Sequence, residues 1–448
     1  MRVLLYHFPY PFELMPVGNT TLESALSEMT ADDCRRDALR ALQEGDYFAS
    51  YESATSGEAL CGEGDGILRR RLVQLKATAL ARTGATRHAR RLLEPLIKEG
   101  SRDADTVGAM ARCYRDLALE TEDPGERKEH FRKSMEFALI GYEAARNYYN
   151  GGQATHAAFL CGEVETGKRL NDETEALVLA EQAEGKGDGF WQATTLGEVC
   201  LHRRDWEGAR RHFTEMRALG ADRPADVGSC ARVCRMLMDA FGVDFAEVAA
   251  SFALDPVVVF SGQLFDEEGR TEPRFPVALE KAVAVAIREA LAGYAEPIAY
   301  CSLSWGGNIL FAEAVLEKPG AALHIVLSAP EDVSCLTGVR EPAGLMAETW
   351  VLRYETILAR AESVKVVAQT ERPEVVDYVY ANRVMHGLAL LKGRQLQREV
   401  VGVALWDGGE NPEEGETADF LRHFEREGCQ LRIISPLHLE PKGVDNDV

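Results

Sequence analysis

The sequence predicts an α-helical solenoid followed by an α/β domain with a doubly wound parallel sheet. From about residue 30 to 241, apolar residues recur at helical spacing, prolines are sparse and no strand pattern appears. Beyond Gly242, short apolar runs alternate with helical patterns, as in parallel sheets whose two faces are covered by helices. Small and hydroxyl residues follow several of these runs, at the sheet edge where α/β folds bind ligands.

The helical half contains an internal repeat. Leu196, Gly197, Ala209 and Phe213 fall at tetratricopeptide offsets, where small residues let two antiparallel helices approach and an aromatic ring fills the groove between them. A weaker copy of this spacing comprises Ala77, Leu80, Gly84, Ala89 and Leu93. Further helix pairs are predicted at 106–119 with 127–145 and at 154–170 with 173–184, after a turn at 150–152. Successive hairpins predict a solenoid, because one hairpin cannot bury its apolar stripe alone.

The concave surface of such a solenoid is a candidate peptide groove. The alternative is a scaffold or dimerisation arm without a ligand of its own. Aromatic residues at repeat offsets are either groove anchors or packing residues; these are Tyr148, Tyr149, Trp191 and Trp206.

The α/β half is predicted to contain six strands, at 257–260, 298–301, 323–327, 364–367, 400–405 and 431–434. The helices between them are expected at 277–291, 309–316, 345–361, 375–396 and 418–427. The predicted domains are an N-terminal segment with a short strand and helices (1–70), the repeats (71–241), a linker (242–254), the α/β domain (255–436) and a mobile tail (437–448).

The most informative segment is 298–313, where an apolar strand enters a hydroxyl-rich turn and then a helix. Glycines in such a turn let the backbone approach a ligand, and the helix start points unpaired N–H groups at the same place. The segment predicts a neutral cradle of amides for a nucleotide or its phosphoribose part. The predicted ligand-binding residues are Ser261, Gly262, Gln263, Ser302, Ser304, Gly306, Gly307, Asn308, Asn382, Arg383, Asp407 and Gly408. Arg274 is a further candidate for a phosphate contact.

Composition excludes several classes of protein. The 448 residues are 46% hydrophobic and 27% charged, as in soluble domains with full cores. A net charge of −22 argues against general nucleic-acid binding. Ten cysteines without a CxxC pair or zinc spacing predict a reducing cytosol and no metal site. The N-terminal apolar run is short and interrupted by prolines, so neither a signal peptide nor a membrane span is expected.

Three motifs carry a family resemblance: Phe260-Ser261-Gly262, the stretch from Ser304 to Leu310, and the stretch from Tyr380 to Arg383. With them, the segment 255–436 resembles a Rossmann-like domain of the SLOG superfamily, which includes DNA-processing-protein-A-like and Lonely-Guy-like domains. The helical array resembles bacterial tetratricopeptide regions fused to such domains, and is similar to the TRAF-binding region of apoptosis signal-regulating kinases. The resemblance implies binding of a nucleotide-derived signal in bacterial stress or defence signalling.

The sequence departs from the catalytic branch of that superfamily. It lacks the Pro-Gly-Gly-x-Gly-Thr-x-x-Glu motif of phosphoribohydrolases, and Glu313 does not reproduce it. It also lacks common kinase, protease and P-loop signatures. If the chain were an N-glycosidic-bond hydrolase acting on nucleotides, the candidate carboxylates would be Glu313, Glu331 and Asp407.

The preferred hypothesis is a cytosolic sensor or adaptor without a required cofactor. The α/β domain would bind a nucleotide-type ligand, and the repeats would bind a protein partner or a second copy in a homo-oligomer. The linker 242–254 would be the place where the domains change orientation. The alternatives are a nucleosidase or phosphoribohydrolase at the same crevice, and a purely structural scaffold.

Overall fold

A computed structural model describes residues 29–409 and 416–440. The chain divides into two compact units, Met1–Ala145 and Arg146–Val448. The short strand expected near the N-terminus and the mobile tail at 441–448 lie outside the described residues. None of the helices in the described ranges is both long and apolar enough to cross a membrane.

The described part of the first unit consists of six helices that pack as consecutive antiparallel pairs. They are α1 (Ala31–Glu44), α2 (Tyr47–Leu60), α3 (Gly66–Arg82), α4 (Thr86–Lys98), α5 (Ala104–Glu120) and α6 (Pro124–Ala145). Local chemistry sets their ends. Thr30 and Asp33 form a capping box at the start of α1, and Gly45 ends it with φ 84°. The weaker repeat copy is confirmed as a packing unit, because Ala77, Ala89 and Leu93 are all buried in one cluster.

The second unit begins with five more helices. They are α7 (Tyr148–Cys161), α8 (Val164–Ala183), α9 (Gly189–His202), α10 (Trp206–Leu219) and α11 (Pro224–Ala240). The α9 and α10 pair confirms the predicted tetratricopeptide packing. Ala209 and Phe213 are fully buried, and a Cβ on Gly197 would lie 2.7 Å from Cδ1 of Phe213. The helix approach therefore requires glycine at this position.

Two predicted boundaries in this region are wrong. Residues 150–152 lie inside α7 and not in a turn, since Asn147 caps the helix by accepting the N–H of Asn150. The predicted helix 154–170 is broken at Gly162, where φ is 91° and the α7 to α8 turn begins. All three residues are buried within the helix, which a sequence rule for Asn-Gly turns cannot anticipate.

The remainder forms an α/β domain whose six strands are all parallel. The strands are β1 (Val257–Gly262), β2 (Ile298–Cys301), β3 (Ala322–Leu327), β4 (Ser363–Val366), β5 (Val400–Leu405) and β6 (Gln430–Ile434). The helices are α12 (Glu280–Leu291), α13 (Gly307–Leu316), α14 (Ala347–Arg360), α15 (Val375–Leu396) and α16 (Glu416–Arg426). The predicted fold class, tetratricopeptide-like helices followed by a doubly wound Rossmann-like sheet, is confirmed.

The strand order β4-β3-β2-β1-β5-β6 creates a switch point between β1 and β5. The chain moves outward from β1 to β4, then returns through α15 to β5 on the other side of β1. Because such crossovers are right-handed, α12 to α14 cover one face of the sheet, and α15 and α16 cover the other. Ligands in these folds bind at the switch point, beyond the carboxyl ends of the strands.

The helices before the sheet pack closely against it. A Cβ on Gly228 of α11 would lie 2.6 Å from the carbonyl oxygen of Leu396, the last residue of α15. Arg217 of α10 pairs with Glu296 at 2.6 Å, just before β2. Within the predicted linker, Phe252 is fully buried and its ring lies 4.9 Å from that of Phe213. Reorientation at 242–254 would therefore have to break all three contacts.

Candidate functional site

An ion-paired cluster lies at the switch point between β1 and β5. Asp407, two residues beyond β5, accepts hydrogen bonds from Gln263 Nε2 at 2.8 Å and from Arg274 Nη2 at 3.3 Å. Arg274 Nε also donates to the second carboxylate oxygen. Gln263 directly follows β1, and Arg274 belongs to the same connection between β1 and α12. The cluster therefore joins the two strand ends that flank the switch point.

The cluster combines a fixed negative charge with an unsatisfied acceptor. Burial by itself raises the pKa of Asp407, but hydrogen bonds from Arg274, the Gly409 N–H and Gln263 outweigh it, so the pKa lies below its usual value. Asp407 is therefore ionised at neutral pH. Gln263 Oε1 is buried and has no hydrogen-bond partner among the described residues. A buried amide oxygen without a donor is costly, so this atom calls for a donor from a water or a ligand.

Asn308 ties together three segments at the same edge of the sheet. Its Oδ1 accepts the Gly262 N–H at 2.9 Å, and its Nδ2 donates to Ser302 Oγ at 2.9 Å and to Ser304 Oγ at 2.7 Å. Asn308 is only 2% exposed. The structure thus brings these four predicted site residues together, with Asn308 as the organising side chain.

Gly306 and Gly307 approach the chain itself. Gly306 has φ 122°, and a Cβ there would lie 2.9 Å from the Gln263 carbonyl oxygen. The Gly307 N–H donates to that same oxygen at 3.1 Å, so this amide is not available to a ligand. The two glycines hold the 262–265 segment against the start of α13. The Gly307 amide therefore does not contribute to the predicted amide cradle. The polar side chains that meet at the switch point are those of Gln263, Arg274 and Asp407.

The other predicted residues occupy varied positions. Ser261 is buried and donates to Thr417 Oγ1 at 3.3 Å, which joins β1 to the start of α16. Gly408 is exposed with φ 86°, and it lets the chain turn directly after Asp407. Glu331 is exposed in the short helix Glu331–Cys335 that follows β3.

Glu313 is committed to a structural ion pair. Arg353 of α14 donates to both carboxylate oxygens of Glu313 at 2.7 Å and to Glu280 at 2.8 Å. The guanidinium also lies 3.8 Å from the centroid of the Trp350 ring. This network joins α12, α13 and α14, so Glu313 holds three helices together. Nothing in the sequence around Arg353 signals the network, because its partners lie 40 and 73 residues away.

Asn382 and Arg383 diverge on α15. Asn382 is 8% exposed, whereas Arg383 is exposed and lines a pocket with residues of α16. Adjacent helical residues are separated by about 100°, so a pair at i and i+1 does not serve one site.

Two further residues were missed by sequence reasoning. Thr417 falls just before the predicted start of α16, and Asp266 lies in a loop that reads as solvent-exposed. Asp266 Oδ2 accepts the N–H groups of Arg274 and Phe275 at 2.9 and 3.0 Å, which fixes the loop that presents Arg274. In the sequence, this contact is signalled only by an acidic residue eight positions before an arginine, in a loop that contains glycine. Among the described residues, no group of three or more His, Cys, Asp or Glu side chains is arranged to hold a metal ion.

Comparison with known proteins gives one family match. Residues 46–160 match the family model described as Tetratricopeptide Repeats-Sensor. No curated protein matches the chain.

Several solved structures show a weak likeness. A thermophilic tetratricopeptide protein of Thermus thermophilus is 13% identical over 48% of this chain and 100% of its own, with a TM-score of 0.35. Full-length LpoA from Haemophilus influenzae is 12% identical over 88% of this chain and 79% of its own, with a TM-score of 0.18. The structure of Naa15/Naa10 bound to HypK-THB is 12% identical over 82% of this chain and 61% of the matched chain, with a TM-score of 0.17. TM-scores this low do not establish a shared fold.

The family match and the helix pairs agree on one coarse conclusion. The chain carries tetratricopeptide-like repeats, a class of module that typically mediates contacts between proteins.

Proposed function

We propose that this protein is a sensor or adaptor that binds a nucleotide-derived ligand at the β1 and β5 switch point and a protein partner through its helical repeats. The observation that carries the proposal is the cluster of Gln263, Arg274 and Asp407. It lies where doubly wound sheets bind ligands, and it contains a buried acceptor without a partner among the described residues.

The chemistry of the cluster suits a sugar-phosphate. An ionised carboxylate accepts hydrogen bonds from ribose hydroxyls, and a guanidinium pairs with phosphate oxygens. The unpaired Oε1 of Gln263 takes one more donor, such as a hydroxyl or an exocyclic amine. The same three groups therefore offer one positive, one negative and one neutral contact within a single connected network.

The helical repeats supply the second half of the proposal. Residues 46–160 match the Tetratricopeptide Repeats-Sensor model, and this match supports a sensor role. The close packing of α11 on α15 gives a physical route for communication, because a shift of α15 would displace the Gly228 contact. The resemblance to the SLOG superfamily supports a role in bacterial stress or defence signalling, with self-association in the cytosol.

Isothermal titration calorimetry of the full chain tests the ligand half. The panel comprises nucleoside mono-, di- and triphosphates, cyclic nucleotides and ADP-ribose-type compounds. We expect saturable heat for one class, weakened at least about tenfold by Asp407→Asn and by Gln263→Leu, since each removes a polar contact from a partly buried site. Arg288→Gln is the matched control, because Arg288 pairs with Glu317 on the surface away from the cluster.

A panel without heat, from a chain that is folded by circular dichroism, would remove the ligand half of the proposal. Equal affinity of the wild type and both cluster variants for the ligand would show that the ligand binds at another place in the chain.

A second candidate, N-glycosidic hydrolysis, is favoured only by Asp407. Its ionised carboxylate could stabilise a developing positive charge on a sugar. Chromatography of the calorimetry samples tests this candidate: release of free base that Asp407→Asn abolishes would support an enzyme, and intact nucleotides would exclude one for that panel.

A further inference from the structure

A second polar pocket lies between α15 and α16. It has a volume of about 230 Å³ and is lined by Arg383, Asp419, Arg422, His423 and Arg426. Three guanidinium groups face one carboxylate, in a chain whose formal net charge is −22. The pocket is therefore a local positive region within a strongly acidic protein.

Two of the three guanidinium groups of this pocket have no ion-pair partner among the side chains that the structure describes. The third, Arg422, forms a long ion pair with Asp419 at 3.8 Å. Within residues 29–409 and 417–440, neither Arg383 nor Arg426 has a carboxylate within 4.0 Å. By contrast, Arg203 pairs with both Asp172 and Glu175 at 2.8 and 2.6 Å. Three guanidinium groups that line one pocket repel one another, and a bound anion would relieve this repulsion.

The imidazole of the pocket is held in place by packing. The His423 ring lies 4.6 Å from the buried His386 ring, and His386 in turn stacks on Phe424 at 4.1 Å. Of the side chains that the structure describes, no apolar or aromatic group other than this imidazole lines the pocket. The pocket therefore offers mainly guanidinium groups, which suit phosphate oxygens, and its one ring is the His423 imidazole.

We propose that the pocket between α15 and α16 binds a compact, multiply phosphorylated anion through its phosphate groups. Guanidinium groups match phosphate oxygens in bidentate geometry, and three of them suit an anion with at least two phosphates. The proposal is independent of the switch-point site, because the two sites share no residue. It also gives Arg383 a different role from the one that the sequence indicates.

Calorimetry of the full chain with inorganic triphosphate, pyrophosphate and phosphate tests the proposal at physiological salt. We expect saturable binding of one anion per chain, in the order triphosphate, pyrophosphate, phosphate. Arg383→Gln and Arg422→Gln each weaken triphosphate binding by about fivefold or more, whereas Asp419→Asn strengthens it by removing a repulsive charge. Arg394→Gln is the matched control, because Arg394 lies in the last turn of α15 and does not line the pocket.

A folding defect would weaken triphosphate binding in both variants, whereas an anion site should lose affinity with Arg422→Gln and gain affinity with Asp419→Asn. Circular dichroism melting checks that each variant is folded. Absence of saturable heat from triphosphate would overturn the proposal, as would equal affinity for wild type and Arg383→Gln. Binding of an acidic peptide in the absence of triphosphate binding would overturn it in favour of a protein partner.

Discussion

Arg274 and Asp407 form an ion pair that joins the loop after β1 to the end of β5. The pair lies at the switch point of the sheet, and Gln263 donates to the same carboxylate at 2.8 Å. Doubly wound sheets bind ligands at this place for topological reasons, and we propose that these three side chains contact the ligand.

The Asn308 network predicts a specific loss of stability. Asn308→Ala removes three hydrogen bonds and leaves the Gly262 N–H without its acceptor. We expect the free energy of unfolding to fall by about 2–4 kcal/mol. Ser302→Ala removes only one of these bonds and should cost about 1 kcal/mol. Urea denaturation followed by circular dichroism checks both values, and equal losses would contradict an organising role for Asn308.

Two glycines on adjacent helices should respond to alanine in opposite directions. A Cβ on Gly228 would meet the backbone of Leu396, so Gly228→Ala should destabilise the chain by about 1–3 kcal/mol. On α15, a Cβ on Gly387 would meet nothing within 4 Å, so Gly387→Ala should stabilise the chain by up to about 1 kcal/mol. Thermal melting of both variants distinguishes the outcomes, and a neutral Gly228→Ala would show that α11 does not pack closely on α15.

The tetratricopeptide contact gives a parallel test in the helical repeats. Gly197→Ala would push a methyl group into the ring of Phe213, with an expected cost of about 1–3 kcal/mol. The double variant Gly197→Ala with Phe213→Leu should recover part of this loss, because the smaller side chain frees space. A double-mutant cycle from urea melts measures the coupling, and additive losses would contradict the contact.

His386 should make stability depend on pH. Burial, and then the neighbouring His423, lower the pKa of His386 from 6.5 to about 4. Since the folded state binds this proton less readily than the unfolded chain, stability is full above pH 6.5 and falls as the pH drops towards 4. Replacement with the uncharged ring of phenylalanine should reduce the loss of Tm on acidification from neutral pH to about pH 5. An unchanged pH profile for His386→Phe would contradict the lowered pKa.

Much of the fold was predictable from the sequence because periodicity reports burial directly. The runs at Ile298–Cys301 and Val400–Leu405 are strands with the predicted bounds, since apolar residues covered on both faces leave an unambiguous pattern. The helical conformation of 150–152 was not predictable in this way. There, the Asn147 cap and the burial of all three residues outweigh the local preference of Asn-Gly for turns.

The site was less predictable than the fold. Asn308 and Asp407 could be predicted near the ligand edge by reading the residues that follow each apolar run. Asp407 lies two residues beyond β5, and Asn308 lies in the first turn of α13. Both Asp407 and Glu313 are ion-paired, and the choice between them depends on place: the Arg274 pair joins the ends of β1 and β5, whereas the Arg353 pair joins helices. The internal use of the Gly307 amide likewise depends on the tertiary position of the Gln263 carbonyl. Contacts of this kind leave no periodic signal.

A crystal structure of the full chain with the tightest-binding member of the nucleotide panel tests the ligand site most directly. We expect density for the sugar-phosphate beside the Asp407 carboxylate, with a donor of the compound within hydrogen-bond distance of Gln263 Oε1. Density for the whole compound at another place, with the Gln263, Arg274 and Asp407 cluster undisturbed, would contradict this proposal.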